Sequence, residues 1–137
     1  MMRTILILLT IILMLTGLPL LHGRLVLWSI DAFSQVTSAL SFFYLFTIPA
    51  WAVAIMVFVV ETYRRSFIPS ESRISNILML GLMGMIAPTT GLALSPVGAE
   101  ISLVAYAGVA ALGLLVGLLG AVLFNFTVSQ INKMTRS

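Results

Sequence analysis

The side chains that could do chemistry are few in this sequence, and they are spread along it. Among its 137 residues there is one histidine, His22, and there are four carboxylates, Asp31, Glu61, Glu71 and Glu100. Metal or haem ligation needs several histidine, cysteine or carboxylate groups that converge, and the chain contains no cysteine. His22 directly follows an apolar segment, which predicts a position at the membrane edge, and no second ligand is spaced to help it. The sequence therefore predicts no metal and no cofactor.

Catalysis by these groups is also poorly supported. A nucleophilic serine or threonine needs a base beside it, and the sequence offers no second histidine and no lysine inside an apolar segment. The carboxylates lie at or beyond the ends of the apolar segments, with Asp31 and Glu100 on one side of the membrane and Glu61 and Glu71 on the other. No two of them form an acid–base pair within the bilayer. We therefore predict that the protein is not an enzyme.

The composition predicts an integral membrane protein. Hydrophobic residues make up 61% of the chain and charged residues 8%, whereas soluble domains carry about 25% charged residues. So short a chain cannot bury that much apolar surface in a water-soluble fold, so membrane lipids must cover it. The net charge is +3, but the basic residues flank apolar segments, as membrane insertion requires. We expect one domain, residues 1–137, and no nucleic-acid partner.

Four apolar segments predict an all-α protein with four transmembrane helices, at about residues 4–21, 37–60, 74–94 and 101–128. The first segment has an alternative interpretation as a secretory signal peptide, but Leu21 stands where a cleavage site needs a small residue, which favours a retained helix. The last segment is longer than a typical hydrocarbon core, so it must tilt or protrude.

The distribution of basic residues predicts the orientation. Arg64, Arg65 and Arg73 lie between the second and third segments and are expected to anchor the interface, where they attract anionic lipid. If both termini are cytoplasmic, Arg24 is the one basic residue outside, and the others lie inside: Arg3, Arg64, Arg65, Arg73, Lys133 and Arg136. We therefore predict cytoplasmic N and C termini. The asymmetry is typical of a bacterial inner membrane protein.

Residues 25–36 are predicted to form an outer interfacial helix, with Trp28 at the level of the lipid headgroups. Polar side chains recur there at helical spacing and continue into the second segment, at Asp31, Ser34, Gln35 and Ser38. Two interpretations stay open. The stripe is either the water-facing side of an overlong helix, or a polar face that docks a partner or lines a cleft.

The third segment contains a helix break at Pro88, Thr89 and Thr90. Proline has no N–H, so Pro88 leaves the carbonyl of Gly84 without its usual donor. Broken helices form midplane binding sites in many transporters. Such sites usually include an ionisable group, and this segment has none, which favours a simple kink over a pathway.

The fourth segment has small residues at steps of four, Gly113, Gly117 and Ala121. A face of this kind lets another helix backbone come close, so that packing and weak C–H hydrogen bonds can act. The helix that packs there is either the second or third segment of the same chain, or a helix of a second copy or of another protein.

We hypothesise that this protein works by helix–helix recognition within the membrane, as an accessory, regulatory or immunity-type partner of another integral membrane protein. The recognition surfaces would be this small-residue face and the outer polar stripe. The four-span layout resembles that of some immunity proteins against pore-forming bacteriocins, in topology alone.

The first alternative is a small oligomeric transporter or channel that uses the Pro88 break. Small multidrug exporters have four short spans but depend on a carboxylate in the first helix, which this chain lacks. The second alternative is a phage holin.

Overall fold

In the part of the chain that it describes, the computed structural model consists of four long α-helices. It describes the backbone of residues 2–29, 37–64, 72–94 and 103–135, and the side chains of residues 2–26, 45–62, 74–94 and 103–134. The helices are α1 (Met2–Ser29), α2 (Thr37–Arg64), α3 (Ser72–Ala93) and α4 (Leu103–Thr135). These described stretches contain no strand. All four helices are long and apolar enough to cross a membrane, so the prediction of an all-α, multi-pass membrane protein is confirmed.

Three helices extend beyond their predicted ends. Helix α1 continues past Leu21 to Ser29, α2 continues past Val60 to Arg64, and α4 continues past Val128 to Thr135. The predicted ends were set where polar residues begin, but a helix satisfies its own backbone hydrogen bonds whatever its side chains are. Residues 25–29 therefore continue α1 and do not begin a separate interfacial helix, which corrects that prediction. Residues 30–36 lie outside the described part of the chain.

The helices form an antiparallel ring. Each packs against the next along the chain, α1 closes the ring against α4, and the α3–α4 seam is the most extensive. The direction is visible in the pairs across that seam, where Gly84 contacts Gly113 and Leu80 contacts Gly117. We call the end of the bundle that carries Met2 and Thr135 the termini end, and the opposite end the far end.

Large apolar side chains fill the core on the termini side. Phe58 of α2 and Phe124 of α4 meet edge to face across the bundle, with ring centroids 5.4 Å apart and an interplanar angle of 74°. We call these two rings the aromatic layer. They belong to one cluster with Leu80, Val116 and Ala121, all of them buried. A smaller cluster at the far end contains Val26, Leu92, Ala105 and Val109.

Prolines do not interrupt the helices. Pro19, Pro49 and Pro88 lie inside α1, α2 and α3, and each helix continues past its proline. Each helix therefore tolerates the loss of the one backbone hydrogen bond that its proline removes. Between the aromatic layer and the far-end cluster, the four helices come together around a single histidine.

Candidate functional site

His22 lies inside the bundle, in α1, with no exposed surface. The prediction that placed it at the membrane edge is therefore wrong. That prediction rested on the end of the apolar segment at Leu21, whereas α1 continues for two more turns and carries His22 against α2 and α4. A polar side chain can occupy such a position when its hydrogen-bonding atoms find partners there.

Both ring nitrogens of His22 have partners on other helices. The Trp51 Nε1–H donates to His22 Nδ1 at 3.0 Å, and His22 Nε2 lies 2.9 Å from the carbonyl oxygen of Val109. A carbonyl can only accept and an indole N–H can only donate. Nε2 therefore carries the proton and Nδ1 the lone pair, which is the neutral imidazole. The two rings meet edge to face, with centroids 5.5 Å apart and an interplanar angle of 73°.

The backbones of α3 and α4 touch beside this histidine, at Gly84 and Gly113. A Cβ added to Gly84 would lie 2.5 Å from the Gly113 carbonyl oxygen, and a Cβ added to Gly113 would collide with the Gly84 carbonyl oxygen. Each carbonyl thus faces the other glycine's Cα, the arrangement of paired Cα–H···O contacts. Pro88 supplies no N–H to the Gly84 carbonyl, so the contact with Gly113 gives that oxygen a weak donor.

Histidine, tryptophan and glycines form one assembly. Atom Cη2 of Trp51 lies 2.7 Å from the position of a Cβ on Gly84, and His22 Nε2 lies 3.4 Å from that of a Cβ on Gly113. We call His22, Trp51, Gly84, Val109 and Gly113 the four-helix node, because it includes residues of all four helices. The hydrogen bonds cross from α1 to α2 and α4, while the glycine contact joins α3 to α4.

The polar groups of the node form hydrogen bonds between helices. Both imidazole nitrogens are already engaged, so a ligand would have to displace Trp51 or Val109. The described residues contain no group of three or more histidine, cysteine or carboxylate side chains that could hold a metal ion. Interhelical hydrogen bonds in membrane bundles contribute about 0.6 kcal/mol on average and up to about 1.7 kcal/mol. The node therefore stabilises one relative placement of the four helices.

The small-residue face of α4 lies against α3 of the same chain. Gly113 meets Gly84, as described above, and a Cβ added to Gly117 would collide with the Leu80 carbonyl oxygen and lie 3.0 Å from the Gly81 Cα. Ala121, one turn further along, is fully buried in the cluster of the aromatic layer. All three residues therefore face the interior of this bundle.

The residues of the predicted helix break, Pro88, Thr89 and Thr90, are part of the continuous helix α3. Pro88 is buried, the Thr89 hydroxyl donates to the Met85 carbonyl oxygen at 2.7 Å, and the Leu94 amide donates to the Thr90 carbonyl oxygen at 3.0 Å. Threonine bonds of this type reach back four residues along the same helix. The side chain of Thr90 is exposed on the outside of the bundle.

The outer polar stripe and the interface anchors fall on parts of the chain that the structure does not describe. Asp31, Ser34, Gln35 and Arg65 lie outside the described residues. Trp28, Ser38, Arg64 and Arg73 belong to the helices, but their side chains lie outside the described set. The expectations for these eight residues remain predictions.

One glycine has the opposite environment to those of the node. Gly17 of α1 is exposed, and nothing lies within 4 Å of the position that its Cβ would occupy. Its exposed neighbours on the same side include Leu13, which is 70% accessible, and Leu20, which is 52% accessible. Gly17 therefore forms a notch between larger side chains on the lipid-facing side of the bundle.

Sequence reasoning missed the role of Trp51. The residue stands in the second apolar segment with no polar neighbour in sequence, so nothing local marks it as a hydrogen-bond donor. One signal was available: an indole N–H inside a membrane span needs an acceptor, and the sequence has a histidine directly after the first apolar segment.

Comparisons with protein-family models, curated proteins and solved structures found no match to this chain.

Proposed function

We propose that this protein works by helix–helix recognition, as an accessory, regulatory or immunity-type partner of another integral membrane protein. The observation that carries the proposal is Gly17, a glycine that faces outward from α1 with open space around it. Small residues on a lipid-facing surface let a second helix backbone approach closely enough for packing and Cα–H hydrogen bonds. The Gly17 notch is therefore the surface to which we assign recognition.

The assignment to α1 follows from how the other small residues are used. Gly113 and Gly117 lie against α3 of the same chain, and Ala121 is buried. A foreign helix would have to displace α3 to reach them, and the α3–α4 seam is the most extensive of the bundle. Gly17 can be reached without any such rearrangement.

The packing around Pro88 favours recognition over transport as the function. A transport pathway needs polar groups that line a space between helices. Pro88 is instead buried, the Thr89 hydroxyl is bonded to its own helix, and the Gly84 carbonyl faces Gly113.

We further propose a bacterial inner membrane location with both termini in the cytoplasm, because of the arginine and lysine asymmetry. In this orientation the termini end of the bundle faces the cytoplasm and the node lies in the outer half of the membrane. A topology reporter fused after Ser137 should be active on the cytoplasmic side. Activity on the other side would contradict the orientation without bearing on Gly17.

The recognition surface can be tested by filling the notch. Gly17→Leu places a large side chain where a partner helix would sit, and no atom of another helix lies within 4 Å of the position of its Cβ. The matched control is Ala111→Leu, which enlarges a small, exposed residue on α4. Each tagged variant is crosslinked in native membranes, purified in mild detergent, and compared with the wild type for the proteins recovered with it.

We expect Gly17→Leu to lose at least one crosslinked membrane protein that both the wild type and Ala111→Leu retain. Coexpression of two differently tagged copies shows whether the lost species is another protein or a second copy of this chain. Identical crosslinked species in all three proteins would contradict the proposal, because recognition would then not pass through the notch.

A further inference from the structure

We propose that the four-helix node is an acid-sensitive latch, which opens when His22 takes up a second proton. The closed latch consists of the bonds from Trp51 to His22 Nδ1 and from His22 Nε2 to Val109. The proposal concerns the stability and shape of the bundle itself, and it does not depend on recognition at Gly17.

Protonation is incompatible with the bonds of the closed latch. An imidazolium carries N–H on both nitrogens and accepts no hydrogen bond. The new proton on Nδ1 would point at the Trp51 N–H, with the two nitrogens 3.0 Å apart. If the ring turned to relieve this, Nε2 would leave the Val109 carbonyl. One of the two interhelical bonds is therefore lost in either case.

The described stretches of the four helices around His22, residues 2–26, 45–60, 74–94 and 103–134, contain no carboxylate. On α1 the nearest charged residue is Arg24, which is exposed. On α2, residues 45–60 are uncharged, and Glu61 stands ten residues from Trp51, about 15 Å along the helix. Residues 74–94 of α3 contain no titratable group, and the described part of α4 contributes Tyr106 and Lys133. Asp31 and Glu100 lie outside the described residues.

The position of Trp51 connects protonation to the glycine contact. Its ring is fully buried and lies against Gly84. An indole that moves away from His22 also changes its contact with Gly84, which itself lies against Gly113. Protein interiors are close-packed and respond to such changes by discrete rearrangement. Opening the latch therefore loosens the α3–α4 seam as well as α1.

The sign of the pH effect follows from linkage. The two hydrogen bonds of the closed latch cannot both be kept when His22 takes up a second proton, whereas an opened or unfolded bundle can bind that proton without losing them. Acidification therefore favours the open state, and stability falls as the pH falls. A histidine is the side chain that titrates between about pH 5 and pH 8, which sets the range to examine.

The test measures the protein reconstituted in lipid bicelles, in a Trp28→Phe background that leaves Trp51 as the sole tryptophan. Trp51 emission and the unfolded-to-folded ratio in sodium dodecyl sulfate are recorded from about pH 8 to about pH 4, the range that spans histidine titration. We expect a reversible red shift of Trp51 emission. We also expect the unfolded-to-folded ratio to rise by about threefold to tenfold, as loss of one interhelical hydrogen bond gives.

Two variants make the result specific to the latch. Asparagine can accept from Trp51 but does not titrate, so His22→Asn should abolish both changes. If His22→Asn does not fold, His22→Gln decides, because its longer amide can also accept from Trp51, does not titrate, and leaves the Trp51 emission as a readout. The same acid response in the variant as in the parent protein, or no response in the parent, would overturn the proposal.

Discussion

The four-helix node and the aromatic layer hold the same bundle together by opposite means. At the node, the backbones of α3 and α4 touch through Gly84 and Gly113, and His22 forms hydrogen bonds to Trp51 and Val109. At the aromatic layer, Phe58 and Phe124 fill the space between α2 and α4 with their side chains. One region depends on the absence of side-chain volume, and the other on its presence.

The difference predicts how each region responds to substitution. A carbonyl oxygen of a packed helix cannot move aside, so added volume at the node must separate two helices. An aromatic side chain has neighbours that can relax, so removing part of it leaves a smaller and graded cost. Dispersion and hydrogen bonds contribute more than the hydrophobic effect to holding these regions together. The reason is that apolar side chains facing lipid are already in an apolar environment.

The largest effect is expected at the glycine contact. Gly113→Leu places a side chain on the Gly84 carbonyl and should destabilise the bundle by about 3 kcal/mol or more, at the upper end of overpacking effects. Unfolding in sodium dodecyl sulfate measures this change. Gly17→Leu is the matched control, since the same substitution there meets no atom within 4 Å of the new Cβ. Equal stability of the two variants would refute the contact.

Loss of the indole donor is expected to have the next largest effect. Trp51→Phe keeps an aromatic ring but leaves His22 Nδ1 without this partner, which should cost about 1–3 kcal/mol. Trp28→Phe, the same chemical change at the residue predicted to lie at headgroup level, serves as the control in the same unfolding assay. If both variants unfold alike, the Trp51–His22 bond does not contribute to stability.

The aromatic layer should respond more weakly. Phe124→Leu keeps the site apolar but removes the edge-to-face contact with Phe58, at an expected cost of about 1–1.5 kcal/mol. The companion substitution Phe58→Leu and the double variant complete a cycle. The double variant should cost less than the sum of the two single variants, because the same contact is removed in each. Full additivity would show that the rings do not interact.

The smallest effect is expected at the lipid-facing glycine. Gly17→Ala adds a methyl group into open space, so the stability should change by no more than about 0.5 kcal/mol. Gly113→Ala provides the contrast, because its methyl group meets the Gly84 carbonyl oxygen. A large loss of stability in Gly17→Ala would show that this side of α1 packs against another helix.

Most of the helical layout could be predicted from the sequence, whereas the node could not. The predicted start of α2 at residue 37 agrees with the structure, and the predicted start of α3 at residue 74 lies close to its observed start at Ser72. The ends of α1, α2 and α4 were placed too early, because polar residues such as His22 and Glu61 were assumed to end a span. Whether a polar residue ends a span depends on partners on other helices, and these are distant in sequence.

Gly113 and Gly117 also show that contacts between helices could not be predicted from the sequence. Their spacing indicated that another helix packs closely on this face. It did not identify that helix, because any helix with small residues on its surface can pack there. The structure places α3 there, where Gly84 has no side chain and Pro88 has left its carbonyl without a donor. The sequence contains all of these residues, but which of them meet depends on the register of two antiparallel helices. That register is visible only in the tertiary structure.

The sequence by itself determined that this chain has four apolar helices, because in hydrocarbon a helix is the simplest structure that satisfies every backbone hydrogen bond. Only the tertiary structure decided that His22 lies in the interior and which nitrogen holds its proton. Those properties depend on an indole from α2 and a carbonyl from α4 arriving within about 3 Å of one ring, the distance of an ordinary hydrogen bond.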